Sequence, residues 1–333
     1  MLSYILRRLL TALPVLWAAA TITFFAIHLA PGDPATAQLA QSGASAAAIA
    51  ERRAALGLDD SLDVQYVRYL SGLLKGDLGR SWSNNQQVTQ IIVGALFPTL
   101  TLALAATGFA LTIGLTLGTI AALARHPPAS LVRLQPSELE EKADRHHYAW
   151  LDTLCMSLAL SGLSTPVALS GLLAILLFSL GLGWFPATGQ GSLRHLLLPA
   201  LVLGWANAGS LARLTRDRLL DVLDQPYIVA ARARGVNTLR LIRRHAARVA
   251  LPDILTMLAL QMGFLLGGTV VTESVFARRG LGRVAVDAVI AQDLPLAQGI
   301  VLLAALTYTL SNLAADLFQM WLDPRLREVT EWN

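Results

Sequence analysis

Hydrophobic residues in this chain are gathered into long runs that are separated by shorter polar segments. Six apolar runs stand out, at about 9–30, 97–124, 152–182, 196–215, 253–273 and 297–321, and a helix of about 20 apolar residues is long enough to cross a bilayer. In hydrocarbon the backbone polar groups must be satisfied within the segment itself, which a helix achieves. The pattern predicts an all-α integral membrane protein with six transmembrane helices, the third interrupted by "GLSTP" at 162–166.

The polar segments between the runs also carry helical signals. In segment 31–96, "ASAAAIAERRAALGL" has high helix propensity up to Gly57, and "VQYVRYLSGLLKG" has apolar residues at helical spacing up to Gly76. We interpret this segment as a small, mostly helical elaboration. Ser137 and Glu140 have the spacing of a capping box and predict a short helix over 138–146.

The composition fits a membrane protein and excludes some partners. Only 14% of the residues are charged, against about 25% in soluble domains. The net charge of +4 is too small to indicate a nucleic-acid partner. Cys155 is the only cysteine, so an internal disulfide is impossible, and its place in an apolar run predicts a buried, inert thiol.

The distribution of basic residues predicts the orientation. Segment 213–252 contains nine arginines and three aspartates, and loops rich in arginine and lysine remain in the cytoplasm. With six spans, both termini then lie in the cytoplasm. One loop, 274–296, conflicts with this rule, because it would lie outside and yet contains Arg278, Arg279 and Arg283.

The most basic stretch, "YIVAARARGVNTLRLIRRHAARVALP", runs from Tyr227 to Pro252. It predicts two short helices, the first over about 226–234 and ended by Gly235 in the left-handed conformation. Asn237 can cap the second helix, and Pro252 marks the return to the membrane. The second helix would have an apolar face (Leu239, Ile242, Ala246, Val249) and a line of arginines (Arg240, Arg244, Arg248).

Two interpretations of this helix–glycine–helix unit stay open on the pattern alone. It can lie at the membrane surface and contact anionic lipid. Alternatively, its arginines can face a partner protein, which the small side chains of Ala230, Ala231 and Ala233 would allow to approach closely.

Signatures of catalysis are missing from the sequence. "GLLKGDLG" lacks the glycine–lysine–serine/threonine arrangement of a Walker A motif, and we find no metalloprotease helix, nucleophile elbow or cysteine cluster. His146 and His147 have no further ligands beside them, so they predict no metal site. We therefore expect a non-catalytic chain that binds no cofactor or metal. A secondary transporter or channel and a membrane-embedded enzyme remain alternatives, but neither mid-membrane coupling acids nor a clustered nucleophile or metal set is apparent.

The basic stretch resembles the EAA loop of ABC-importer permeases, in the version found in dipeptide, oligopeptide and nickel importers. Ala230, Ala231 and Gly235 match that pattern, while Val229 stands in place of the acid that names the motif and Pro252 comes one residue early. Other segments are similar to the same family: "ILRRLL…FFAIHLAPGDPA", "LGLDDSLDVQYVRYLSGLLKGDLGRSW", "TESVFARRGLGRVAVDAVIAQDLPLAQG" and "NLAADLFQMWLDPRLR". The resemblance thus covers nearly the whole chain.

Two departures from the family pattern stand out. The pair Arg278–Arg279 replaces an aromatic residue and a proline, and the loop 126–148 is longer than usual. The first departure affects the charge and local structure of the outer loop. The longer loop suggests an additional cytoplasmic contact.

The resemblance implies a fold and a location. The fold would be that of a type I ABC-importer permease in the bacterial inner membrane, with cytoplasmic termini. The implied division is a cytoplasmic N-terminus and first helix (1–30), a periplasmic segment (31–96), a core of five transmembrane helices (97–321) that includes a cytoplasmic coupling loop (217–252), and a cytoplasmic tail (322–333).

The resemblance also implies a function and partners. The chain would form half of the translocation pathway for peptides, nickel, a metal chelate or a related small solute. Its partners would be a second homologous permease, two ATPase subunits that bind ATP and Mg, a periplasmic or lipid-anchored binding protein, and membrane lipid. The implied ATPase-coupling residues are Tyr227, Ala230, Ala231, Arg234 and Gly235.

Residues inside the predicted spans supply candidates for the pathway or for gating. Gly263 and Gly267 stand four apart, which allows helices to approach closely, either for ordinary packing or for sliding during gating. Asn312 and Asp316 lie one turn apart, and an acid is so costly in lipid that it should face protein or a water-filled path. Glu273 ends the fifth span at the outer surface, where it can pair with Arg278, Arg279 or Arg283.

Overall fold

The computed structural model describes residues 2–29, 36, 45–125 and 148–322, which are predominantly helical. The α-helices, in chain order, are α1 (Leu2–His28), α2 (Ala46–Leu56), α3 (Leu62–Leu74), α4 (Val88–Arg125), α5 (Ala149–Ser164), α6 (Val167–Ala174), α7 (Leu193–Leu223), α8 (Pro226–Ala233), α9 (Thr238–Leu241), α10 (Ala247–Gly268), α11 (Val270–Val275), α12 (Leu281–Ile290) and α13 (Leu294–Leu322). π-Helical segments extend α6 (Ile175–Gly181) and join α9 to α10 (Ile242–Ala246). The predicted all-α fold is confirmed.

Among the described residues, four helices are long and apolar enough to cross a membrane. They are Val88–Arg125, Leu193–Leu223, Arg244–Leu265 and Leu294–Ala314. The pair α5–α6 adds a fifth span if it is counted as one bent helix. The apolar stretch of α1, Leu10–Ala26, is shorter than these, so the count of six transmembrane helices stays a prediction.

The bent pair α5–α6 is the sharpest break in an apolar run. The two helices meet at 104°, and Thr165 between them is extended, with φ −96° and ψ 128°. A residue before proline avoids the helical conformation because the proline ring crowds its backbone, and Pro166 follows. The predicted interruption at 162–166 is therefore confirmed.

Two compact units can be distinguished in the chain, and the first comprises Met1–Thr101 and Leu266–Leu310. Its core is built from α4, α12 and α13 and includes Val88, Ile92, Leu281, Leu296 and Ile300. Near the end of α1, Phe24 packs on the rings of Tyr66 and Tyr69 of α3, at centroid distances of 5.2 and 5.6 Å.

The two helices predicted in segment 31–96 are present as α2 and α3. Gly57 and Gly76, which follow them, are left-handed at φ +68° and +74°. The side of α3 that contacts α1 is aromatic, whereas Val67 and Leu74 are exposed. Burial, with a smaller effect of Tyr66, raises the pKa of the Tyr69 phenol to about 12, so it stays neutral at physiological pH. The periplasmic location of this segment stays a prediction.

The second unit comprises Leu102–Leu265 and Ser311–Asn333. Its core includes Leu211, Leu219, Leu223, Ile228, Leu241, Ala246 and Ile254. A Cβ added at Gly118 of α4 would lie 2.5 Å from the Ala212 carbonyl oxygen and 2.7 Å from Thr215 Cβ, both on α7. Glycine at position 118 therefore lets α4 and α7 approach each other closely.

One predicted boundary near the fifth span is wrong. The span predicted over 253–273 ends earlier, because α10 stops at Gly268 and Thr269 leaves the helical conformation at ψ 3°. Pro252 lies inside α10, where a membrane helix tolerates proline, and its role as the return to the membrane stays a prediction. The helix predicted over 138–146 lies outside the described residues.

Candidate functional site

Helix α8, in the middle of the predicted coupling loop, has a buried face and an exposed face. Ile228 is fully buried, and Ala231, one turn later, packs against the same core. Tyr227, Ala230 and Arg234 are exposed, and their spacing of three and four places them on one side of a helix. Ala231 therefore supports α8 from the core side, while the other three are accessible to a partner.

Gly235 ends the α8 turn in the predicted left-handed conformation, at φ +82°. The N–H of Val236 donates to the Ala231 carbonyl at 3.2 Å, which is the long bond of a Schellman motif. A Cβ added at Gly235 would meet no atom of the described residues within 4 Å. Glycine is favoured here by the backbone conformation and not by lack of space.

The junction from α9 to α10 is a π-helical turn. The N–H of Ala247 donates to the carbonyl of Ile242, five residues earlier, as in a π-bulge, which is frequent at functional sites. Val249 is 54% exposed, so the predicted apolar face is wrong at that residue because the wider turn rotates the residues that follow it. The buried residues are Leu241, Ile242, Ala246 and Ala250, and the exposed arginines are Arg240, Arg244 and Arg248.

A cleft of about 230 Å³ opens beside Tyr227, between the end of α7 and the start of α10. Arg218 bridges it, with Nε 2.8 Å from Asp253 and Nη1 3.7 Å from Asp221. Ion pairs this exposed contribute little stability. They do place charges of both signs next to an aromatic ring, a pattern that a protein partner can recognise.

The candidates in the spans lie at positions of unequal burial. Gly263 is buried, and an added Cβ would lie 2.7 Å from Ser311 Cβ, so α10 and α13 approach closely there. Asn312 and Asp316 are half-buried on α13, and Asn312 Oδ1 has no hydrogen-bond partner within the part of the chain that the structure describes. Gly267 lies in α10 within the first unit. Their pathway role stays a prediction.

The sequence predicts Glu273 at the outer surface, but the structure buries it fully on α11. Its carboxylate accepts hydrogen bonds from the hydroxyls of Thr99 at 2.6 Å and Thr269 at 2.9 Å, and from the backbone N–H of Arg283 at 3.1 Å. A Cβ added at Gly280 would overlap this carboxylate. The predicted surface location is wrong, because hydroxyl and amide donors surround the carboxylate in place of water.

Arg278 is also an interior residue, with 5% of its surface exposed. Burial lowers the pKa of its guanidinium, and the charge of Glu273 partly opposes this shift. Its backbone N–H donates to the Glu273 carbonyl at 2.8 Å. One of the three arginines that conflict with the predicted orientation is thus part of the packed interior of its own unit.

Sequence reasoning missed Asp293 in the first unit, directly before α13. Asp293 is fully buried and accepts the backbone N–H groups of Trp82 at 3.0 Å and Ser83 at 3.1 Å. The hydroxyls of Ser81 and Ser83 also donate to it. An aspartate just before a helix is a capping signal, but nothing in the pattern indicates that it binds residues 81–83.

Two polar clusters of the second unit were also missed. Asp152 on α5 is buried and forms ion pairs with Arg125 and Arg216; a lone acid in an apolar run was the available signal. Between α7 and α10, the Gln261 side-chain amide donates to the Asn207 carbonyl at 3.2 Å and to Ser210 Oγ at 2.8 Å.

The described ranges contain no group of three His, Cys, Asp or Glu side chains that could hold an ion. His146 and His147 lie outside these ranges. Cys155 is a free, buried thiol, as predicted.

Family profiles match both parts of the chain. Residues 142–328 match the binding-protein-dependent transport system inner membrane component, and residues 1–105 match the N-terminal region of such membrane components.

Several curated relatives are similar over nearly the full length. The glutathione transport system permease protein GsiC of Salmonella paratyphi A is 39% identical, over 98% of this chain and 99% of the relative. The proteins of the same name from Pectobacterium atrosepticum and Escherichia coli K12 are 38% and 37% identical with the same coverage.

Among solved structures, the chain is similar to the MetNI methionine ABC transporter in an inward-facing conformation. The TM-score is 0.56 at 18% identity, and the match covers 71% of this chain and 97% of that one. At this identity the likeness concerns the fold alone, which is the helical fold of an ABC-transporter permease.

Proposed function

Because the chain belongs to the family of binding-protein-dependent transport system inner membrane components, we propose that residues 226–235 couple its movement to ATP hydrolysis in partner subunits. The general function follows from the family and the relatives: the chain is a membrane permease of an ABC importer. It is a multi-pass protein of the bacterial inner membrane that works with other subunits of the transporter. Family membership therefore favours the importer over a secondary transporter, channel or membrane enzyme.

The observation that carries the proposal is the two-sided character of α8. Ile228 is fully buried and Ala231 packs beside it, so the helix is anchored in the core of its own unit. Tyr227, Ala230 and Arg234 remain exposed on the other side. An anchored helix with a free aromatic residue, a small residue and a cation suits a pocket on a partner, because aromatic and arginine side chains dominate the binding energy of interfaces.

The proposal includes an orientation. We place the coupling loop 217–252 and both termini in the cytoplasm, where ATP is available, and residues 31–96 in the periplasm. The supporting observation is the excess of arginine in 213–252, which is typical of cytoplasmic loops.

The proposed assembly contains a second homologous permease, two ATPase subunits, a periplasmic or lipid-anchored binding protein and surrounding lipid. ATP and Mg bind to the ATPase subunits, while this chain is non-catalytic. Closure of the ATPases moves α8, and the permease changes between two states that open to opposite sides of the membrane.

For the substrate we propose a short peptide. The relatives named above are glutathione transport permeases, which favours glutathione or a peptide of similar size over the nickel or metal chelate that the sequence left open. Glutathione is therefore the first solute to test.

Cysteine labelling of α8 tests the docking role. The lone native thiol is removed by Cys155→Ser, and Ala230→Cys then places a thiol on the exposed side of α8. An impermeant maleimide should label it in inside-out vesicles and not in right-side-out vesicles, because we place α8 in the cytoplasm. Addition of the two ATPase subunits should block the labelling, because they would cover this side of α8.

Ala231→Cys is the matched control, since its side chain packs toward the core and should label slowly with or without ATPase subunits. Labelling of Ala230→Cys from the external side would contradict the orientation. Labelling that the ATPase subunits leave unchanged would contradict the docking role.

A further inference from the structure

Asp152, near the start of α5, holds two arginines from two other helices. Arg216 of α7 makes a two-point contact, with Nε 2.6 Å from Oδ1 and Nη2 2.8 Å from Oδ2. Arg125, the last residue of α4, places Nε 2.6 Å from Oδ2. The Asp152 side chain is only 4% exposed and that of Arg216 only 19%. Two-point arginine–carboxylate pairs are the strongest and most directional hydrogen bonds of this kind.

The remainder of the same α5 face is packed against α7. The buried residues of α5 are Asp152, Cys155, Ala159 and Gly162, which the helical period places on one side. A Cβ added at Gly162 would overlap the Trp205 carbonyl oxygen of α7. At Gly209 of α7 it would lie 2.5 Å from the Ala159 carbonyl oxygen. The two helices therefore meet backbone to backbone, and the Asp152–Arg216 pair joins them at one end.

The two ends of this helix pair lead to different places. The end of α7 at Leu223 continues through a short turn into α8, the proposed docking helix. The end of α5 at Ser164 leads into the 104° bend before α6. A push on α8 therefore reaches the bend through α7 and α5, provided that the two helices do not slide on each other.

We propose that Asp152 is the positioning residue that makes α7 and α5 move as one body, so that movement of α8 is passed to the bend at Thr165 and Pro166. This inference rests on the proposed coupling role of α8. In the intact transporter the ion pair resists sliding when the ATPases close. Without it, ATP is still hydrolysed but the bend no longer follows α8.

Cys155 provides a native probe of this contact, because it lies on the packed face next to Asp152 and is buried. The assembled transporter with its binding protein is treated with N-ethylmaleimide, with and without ATP and vanadate, and modification of Cys155 is followed by mass spectrometry. In the native transporter Cys155 should remain protected in both states. In Asp152→Asn it should be protected at rest and modified about tenfold faster with ATP and vanadate, within the usual range of coupling effects.

A second measurement separates coupling from a merely structural role. With labelled glutathione as the probe, Asp152→Asn should raise the ATP hydrolysed per molecule imported by about tenfold. Asp152→Glu, which keeps the carboxylate, should restore part of the native ratio. Arg125→Gln is the matched control, because Arg125 is on α4 and its side chain is 55% exposed, so its loss leaves the two-point pair between α5 and α7 in place.

Two outcomes would overturn the inference. If Cys155 of the Asp152→Asn variant is equally reactive with and without ATP and vanadate, Asp152 only stabilises the fold. If Cys155 of this variant is protected in both states, the Asp152–Arg216 pair does not resist sliding. If the transporter with Asp152→Asn does not assemble, Arg216→Lys takes its place, because it keeps the charge and loses the two-point contact. Cys155 must then be protected at rest and modified faster with ATP and vanadate. A native transporter that shows neither ATP-dependent import nor stimulation of ATP hydrolysis by its binding protein would instead refute the proposed function.

Discussion

The coupling segment, 226–250, and the segment 269–293 both contain charged residues and glycine, but they place their charges in opposite environments. Among the side chains of the coupling segment that the structure describes, Arg234, Arg240, Arg244 and Arg248 are exposed and the buried residues are apolar. In 269–293 the buried set includes three charged residues, Glu273, Arg278 and Asp293. The first segment leaves its charges available to other molecules, and the second uses them inside its own unit.

The two glycines show the same contrast. Gly235 has a left-handed backbone, and no atom of the described part of the chain lies within 4 Å of the place of its Cβ, so a larger residue is limited there by conformation. Gly280 has an ordinary extended backbone at φ −102°, but the Glu273 carboxylate occupies the place of its Cβ. Substitution should therefore affect docking at the first position and folding at the second.

The largest expected effect is that of Glu273→Ala, which removes the acceptor shared by Thr99, Thr269 and the Arg283 N–H. Buried donors left without a partner cost about 1–3 kcal/mol each, so we expect the assembled permease to unfold at a clearly lower temperature and to be less abundant in the membrane. Thermal unfolding of the purified complex and quantitative immunoblotting measure this.

Glu273→Gln is the control, because its amide oxygen can still accept hydrogen bonds, and it should lose less stability. If Glu273→Ala instead leaves stability and abundance unchanged while import per molecule falls, the residue has the gating role that the sequence suggested, and the contrast between the two segments is weaker than stated.

The next largest effect is expected in the coupling segment, from Gly235→Asp. The left-handed backbone costs a residue with a Cβ about 1–2 kcal/mol, and the new carboxylate enters a surface proposed to meet the ATPase. Import should fall by about tenfold or more, which corresponds to at least about 1.4 kcal/mol, while membrane insertion is retained. When both are measured on the same vesicles, uptake of labelled glutathione should fall while ATP is still hydrolysed.

Gly235→Asn is the matched control here, because asparagine visits the left-handed conformation more readily than most residues and carries no charge. It should retain most of the import. Native import in Gly235→Asp would argue against docking through this turn.

The smallest effect is expected from Arg248→Ala. Arg248 is exposed, and surface substitutions usually change stability by no more than about 0.5 kcal/mol. Thermal unfolding should be unchanged and import should remain within about twofold of the native value. A large loss of import at unchanged stability would show that the arginine line itself is recognised, and would extend the docking surface beyond α8.

Several local features were predictable from the sequence. The left-handed Gly235, the glycine ends of α2 and α3, and the break at Thr165–Pro166 each depend on a few neighbouring residues. Such features follow from steric preferences that act within one turn of chain. The exposed side of α8 was not predictable in the same way, because Ala230 and Ala231 are the same residue type and only their packing distinguishes them.

Sequence patterns did not predict which face of a helix is buried after the π-turn, nor which charged residues are buried. Val249 was placed on the wrong face because a π-turn at Ile242–Ala246 is not visible in an apolar pattern. Glu273 was placed at a surface because a carboxylate usually needs water, and its donors Thr99 and Arg283 are supplied by α4 and α12.

By itself, the sequence determined the membrane character of the chain, its helical segments, the points where they break and the family to which it belongs, since all of these follow from composition and from short-range patterns. Only the tertiary structure decided which charges are interior and what they bind. The partner of Asp152 on α7, Arg216, is 64 residues away, and those of Asp293 lie about 210 residues away. Hydrogen bonds between residues so far apart in the sequence depend on how the helices pack together, and local propensity does not predict that packing.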